Sequence, residues 1–224
     1  MQLTIIGQGN VGTHLAQRAR EVGHDVQTWS RREGGTIPAA PIYIRCVSDD
    51  AIPSVAQQLP AHAVVAHTSG STSISVLPQE RRGVLYPMQT FSRTKSLDWT
   101  RVPLFVEGDA LIAEFAASLQ PLSVKPLSSE QRLHLHIAAV WACNFANHCV
   151  ALGADQMAEA GLDWRLLLPL IEETVDKLHH LHPRDGQTGP ARRHDERILS
   201  LHESVLPPHL SELYELLSRS IQKS

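Results

Sequence analysis

The sequence predicts an α/β chain in two parts: a parallel sheet wound with helices over residues 1–127, and an all-helical domain over residues 128–224 built on one long helix. Three observations carry this. A strand-like run at residues 2–6 meets a glycine-rich turn and then an amphipathic helical pattern. Short apolar runs alternate with helical or polar stretches as far as Leu127. From Ser128 onward the strand punctuation disappears.

After the first strand, Val11, Leu15, Ala16 and Ala19 mark the apolar face of a helix, which Gly23 and His24 stop. Asp25–Trp29 then reads as a second strand, closing a βαβ unit of about 30 residues, the usual size of that motif. Further strands are expected at Ile42–Val47, Ala63–Ala66, Val84–Tyr86, Pro103–Val106 and Leu122–Leu127, all parallel, with a helix over Asp109–Leu119. Ser129 stands near the N-cap of a long helix running to about Ala160. Helical segments at about 163–181, 190–204 and 208–222 follow, divided by Gly161, by Pro183–Gly189 and by Pro207-Pro208.

A chain of 224 residues can bury a real core, and 42% apolar residues with 13 Gly and 14 Pro argue against disorder. The balance of 20 basic against 23 acidic residues, a net charge of −3, offers no bulk attraction to nucleic acid or an anionic membrane. The expected partner is therefore a small molecule. Three cysteines without C-x-x-C spacing suggest neither a disulfide framework nor a zinc site, and a reducing cytoplasm suits them. No basic, apolar leader opens the chain. His179, His180 and His182 lack a further ligand at suitable spacing, so no metal is expected.

Gly7-Gln8-Gly9-Asn10-Val11-Gly12 matches G-x-G-x-x-G between a strand and a helix, the phosphate turn of a Rossmann-type dinucleotide site. Its first glycine makes the turn, its second admits pyrophosphate, and its third lets helix pack on strand. The second strand ends in Thr28-Trp29-Ser30-Arg31-Arg32, without the acid that would meet a free ribose hydroxyl. Ser30, Arg31 and Arg32 could instead hold a 2′-phosphate, which favours NADP over NAD.

Ligands of wound sheets lie beyond the carboxyl ends of the strands. That rule directs attention to Val47 and Ser48 near the nicotinamide ribose, to Ser69 after the fourth run, and to Gln89 and Thr90 after the fifth. A helical cap at Asp49 or Asp50 and a plain turn at Thr68–Gly70 are the structural alternatives. On a regular helix of about 100° per residue, Cys143 and Asn147 fall within about 20° of His136. His136 and Asn147, with Asn144 further round, could donate to a substrate carbonyl or carry its proton, or could simply be bonded within a core. The surrounding apolar residues predict that this helix is central and, in so small a domain, covered by a second copy in a homodimer. Gly189-Pro190 is expected to open a helix whose Arg192 and Arg193 hold a carboxylate or phosphate.

Together these segments resemble a family of Rossmann-like proteins that carry a C-terminal helical domain of unknown function and are described as NADP- or deazaflavin-linked oxidoreductases. The resemblance rests on Ile5–Gly12, Val47–Ile52, His67–Ser71, Tyr86–Phe91, Ala142–His148 and Gln187–Ala191. It extends more distantly to pyrroline-carboxylate reductase, ketopantoate reductase, prephenate dehydrogenase and the β-hydroxyacid dehydrogenases. In the β-hydroxyacid and ketopantoate enzymes a catalytic Lys stands four residues before Asn on the first long helix; here Val140 precedes Asn144. The resemblance implies a helical domain that closes over the nicotinamide and often builds a dimer.

The function expected is NADP-dependent reduction of a C=O or C=N bond in a small anionic metabolite. His136 or water would give the proton, and Asn144 and Asn147 would orient the substrate. Two alternatives are an NADP-binding sensor or assembly protein without turnover, which the missing Lys favours, and a deazaflavin-dependent NADP reductase.

Overall fold

The computed structural model describes all 224 residues. Seven strands, β1 (Gln2–Ile6), β2 (Asp25–Trp29), β3 (Ile42–Arg45), β4 (Val64–His67), β5 (Arg82–Pro87), β6 (Pro103–Gly108) and β7 (Ser123–Pro126), form one sheet in the order β2-β1-β3-β4-β5-β6-β7. The chain moves outward from β1 to β2, then restarts on the other side at β3. This places a topological switch point between β1 and β3, where open α/β sheets bind ligands.

Alternation along the strands divides the core. Leu3, Ile5, Ile44 and Leu104 pack with Leu15 and Ala19 of α1 (Asn10–Glu21) and with Phe115 of α3 (Ala110–Ser118). Ile6, Tyr43 and Val65 face the other way, toward Ile52 and Ala56 of α2 (Ile52–Ala56). The expectation of an all-parallel sheet fails at one pairing, because β5 and β6 run antiparallel. Between them lie only a loop and the short turn Trp99–Arg101, with no crossover helix to return the chain to the starting end.

The long helix is continuous from Ser129 to Glu159 but irregular: α4 (Ser129–Ala139) passes through a π-helical segment, Val140–Phe145, into α5 (Ala146–Glu159). It is also not the buried element expected from its composition. Arg132 is its one buried residue, while Trp141 is 62% and Phe145 45% exposed.

Two compact units divide at His148/Cys149, so the first turns of this helix belong with the sheet rather than with a domain starting at residue 128. The second unit, Cys149–Ser224, contains the rest of α5, α6 (Leu168–Lys177), α7 (Glu196–Val205) and α8 (Pro208–Gln222). Asp195 caps α7, and His202 Nδ1 meets the Tyr214 hydroxyl at 2.8 Å. The expected helix at 190 starts only at Glu196. Gly189-Pro190 therefore opens a turn, with Asp195 N–H donating to Pro190 O, and Arg192 is exposed outside any helix.

At the carboxyl ends of β3 and β4, Arg45 and His67 are neighbours in register and fully buried. His67 Nδ1 accepts from the Ser69 amide at 3.2 Å, while its Nε2 has no partner. Burial, with the charges of Arg132 and Arg45, pushes His67 down to about 4. The unfolded chain protonates this residue first as pH falls. Its contribution to stability is therefore complete above its ordinary value of 6.5 and declines toward pH 4. Denaturant unfolding between these pH values should show a loss of about 3 kcal/mol. A His67→Phe variant should lose less, and an equal loss in both proteins would remove His67 as the cause.

Candidate functional site

β1 delivers the chain to Gly7, whose φ of +106° belongs to the region that favours glycine. A Cβ there would lie 2.2 Å from the Cys46 carbonyl, and one on Gly12 would lie 2.0 Å from the Gly7 carbonyl. These two glycines let α1, β1 and β3 approach. Gly9 differs, because its ordinary φ of −72° leaves nothing within 4 Å of a Cβ position. It stands at the N-cap of α1 without a side-chain cap, and no acid occupies the first turn. The open space and the uncapped amides fit a phosphate group.

Two residues that the sequence did not single out reach this turn. Glu33, four residues beyond the end of β2, receives hydrogen bonds from Gln8 Nε2 at 2.9 and 3.0 Å. Arg93 donates to the Gln8 carbonyl at 2.7 Å. Asn10 and His14, one turn apart on α1, bond the carbonyls of Phe91 and Ser92, each at 2.8 Å. The segment after β5 is thereby tied across the phosphate turn. Ser30 follows β2, and Arg31 and Arg32 beyond it are exposed. Val47 lies against the turn, 3.3 Å from a Gly7 Cβ position, and Ser48 is exposed at the cap of the 3₁₀ turn Asp49–Ala51.

A cavity of about 790 Å³ adjoins α1 through Asn10 and Val11. Thr68 and Gly70 after β4 line it, as do Gln89 and Thr90 after β5, and His136, Cys143 and Asn144 of the long helix. At its wall the Tyr86 hydroxyl lies 3.1 Å from His136 Nδ1, and the two rings meet edge to face. Tyr86, also not foreseen as a site residue, is buried, which pushes its hydroxyl above the ordinary phenol range. Gly70 makes the pair possible, since a Cβ there would lie 2.6 Å from His136 Nδ1 and 3.0 Å from Tyr86 Cε2.

The helix register explains which expected residues meet. A π turn takes in one more residue than an α turn, so positions beyond Val140 are displaced from a regular wheel. Asn144, expected further round, joins His136 in the cavity, whereas Asn147 is exposed and outside it. Ser69 also lies outside. Its hydroxyl accepts from the amides of Ser71 and Thr72, and its carbonyl accepts from Arg132 Nε at 3.2 Å. Asp49 caps no helix by its side chain. Burial opposes its charge, but hydrogen bonds from the Ser71, Ser69 and Thr72 side chains outweigh that and hold the carboxyl below its ordinary range.

The family model described as "Domain of unknown function (DUF2520)" matches residues 102–221. A protein from Bacteroides fragilis, provisionally described as an NADP oxidoreductase, is 33% identical, with 100% of this chain and 98% of that chain covered and a TM-score of 0.89. A reductive aminase from Aspergillus terreus in complex with NADPH and ethyl levulinate is 21% identical over 100% of this chain and 94% of that one, with a TM-score of 0.68. Pyrroline carboxylate reductase from Plasmodium falciparum with NADP bound is 13% identical over 100% and 97%, with a TM-score of 0.57. The last two likenesses are of fold. No curated protein matches the chain.

The three glycines of the turn should separate experimentally. Gly9→Ala should change the unfolding free energy by no more than about 0.5 kcal/mol, whereas Gly7→Ala and Gly12→Ala should each cost more than about 2 kcal/mol. Equal destabilisation of all three would contradict the distinction between packing and open positions.

Proposed function

The chain belongs to the family of the domain of unknown function DUF2520, and from that membership and the site geometry we propose that it is an NADP-dependent oxidoreductase that reduces a C=O or C=N bond. One observation carries the reading: the cavity that shares Asn10 and Val11 with the phosphate turn also contains the Tyr86–His136 pair. A cofactor turn and a proton-carrying pair therefore serve the same space. The description of the Bacteroides fragilis relative supports the cofactor and the reaction class.

The amides that follow Gly9 would hold the pyrophosphate, with Ser30, Arg31 and Arg32 on the 2′-phosphate and Val47 and Ser48 near the nicotinamide ribose. NADPH held there would supply the hydride for reduction of the C=O or C=N carbon, and the electron pair released from the π bond would need a proton at oxygen or nitrogen. His136 and Tyr86 share a hydrogen bond through which that proton can be held and replaced. Asn144, in the same wall, has an amide that can orient the substrate's oxygen or nitrogen. Val140 lines the cavity without any polar group, so protonation falls to the Tyr86–His136 pair.

The partner that covers the long helix is, on this reading, a second copy. By length and composition Ser129–Glu159 could also cross a bilayer, but Glu107 pairs with Arg132 in its first turns, and His136, Asn144 and Asn147 follow along it. In the second unit only Ala191, Leu199 and Ser218 are buried, too few for a self-sufficient core. Sedimentation should give a dimer, and a concentration-independent monomer would refute that partner.

Calorimetric titration should show NADPH binding more tightly than NADH, with the preference lost when Arg31→Ala and Arg32→Ala are combined. Failure of both nucleotides to bind would overturn the reading. With NADPH affinity retained, His136→Ala and Tyr86→Phe should each reduce turnover by about 10²-fold or more. Unchanged turnover would remove the pair from the mechanism.

A further inference from the structure

We propose that the substrate of this cavity is an uncharged carbonyl or imine compound with an apolar body, rather than a carboxylate- or phosphate-bearing metabolite. The inference rests on the cavity being the reductive site. None of its lining residues is Lys, Arg, Asp or Glu. Val11, Met88, Phe91, Leu135 and Val140 supply apolar surface, and Ala138, Ala139 and Ala142 leave room between them. The polar groups present are neutral hydrogen-bonding ones, such as Thr68, Gln89, Thr90 and Asn144, which suit one carbonyl or imine and not a full negative charge.

The two buried arginines of the sheet unit, Arg45 and Arg132, stand outside the cavity lining. Arg132 pairs with Glu107 and donates to the carbonyls of Ser69 and Thr72. Arg45, fully buried, donates to the Ile52 carbonyl through one nitrogen and leaves its Nε and Nη2 without partners, and neither Arg lines the cavity. A carboxylate entering this space would lose its hydration without gaining a Lys or Arg partner, and the ring nitrogen of His136 that faces Tyr86 is already hydrogen-bonded there.

Matched ligands test this by calorimetry on protein loaded with tetrahydro-NADP, whose reduced nicotinamide ring is uncharged and gives up no hydride. The pairs are acetophenone against 4-acetylbenzoate, and cyclohexanone against 4-oxocyclohexanecarboxylate. The uncharged member of each pair should bind at least about tenfold more tightly. Val140→Lys should narrow or reverse that ratio by placing a cation in the wall, with its thermal unfolding checked against the parent. Equal or tighter binding of the carboxylates to the parent, or no binding of either uncharged ketone, would overturn the inference. Failure of tetrahydro-NADP and of NADPH to load, seen before any ketone is added, would instead sink the oxidoreductase reading beneath it.

Discussion

Arg132 is the interaction on which the site's geometry depends. Its side chain is almost fully buried in the first turns of α4, where it pairs with Glu107 at the end of β6 and reaches the Ser69 and Thr72 carbonyls. Ser129 reinforces this attachment by donating to Glu107 and accepting from the Ile74 amide. Each partner met by a buried guanidinium lowers the cost of burying it, so these contacts fix both the position and the direction in which the helix leaves the sheet. Four residues later, on the same face, His136 arrives above Gly70 and beside Tyr86. The Tyr86–His136 contact is thus a consequence of where an ion pair anchors a helix.

A second constraint is steric and lies at the other wall. Gly7 and Gly12 have no space for a side chain because β3 and α1 press against the turn, whereas Gly9 faces open space. Close packing behind the turn and vacancy in front of it are complementary. Together they hold the uncapped end of α1 where the strand order reverses. The hydrogen bonds of Asn10, His14 and Arg93 then carry the segment after β5 across this end, joining a wall of the cavity to the phosphate turn.

Much of this was legible because it is local. β1, the turn, α1 and β2 follow from apolar period and glycine spacing within 30 residues, and their bounds agree closely with the expected ones. What was misjudged depends on longer distances or on helix geometry. The direction of β6 depends on what links it to β5, and Pro103–Val106 reads the same in either direction. Asn144 and not Asn147 lines the cavity because a π turn leaves no signature in a pattern read at 100° per residue. Glu33 and Arg93 are unremarkable polar residues until the chain folds back on Gln8.

The sequence by itself determined the nucleotide-type turn, the strand succession and the change to an all-helical second part, because glycine sterics and apolar periodicity act between near neighbours. Only the tertiary structure decided that Tyr86 meets His136, that the Ser69 carbonyl meets Arg132, and that no Lys, Arg, Asp or Glu lines the cavity. Those facts depend on residues 50 or more positions apart brought within a few ångströms, and no local preference encodes which polar groups a distant helix will bury and which it will leave facing the cavity.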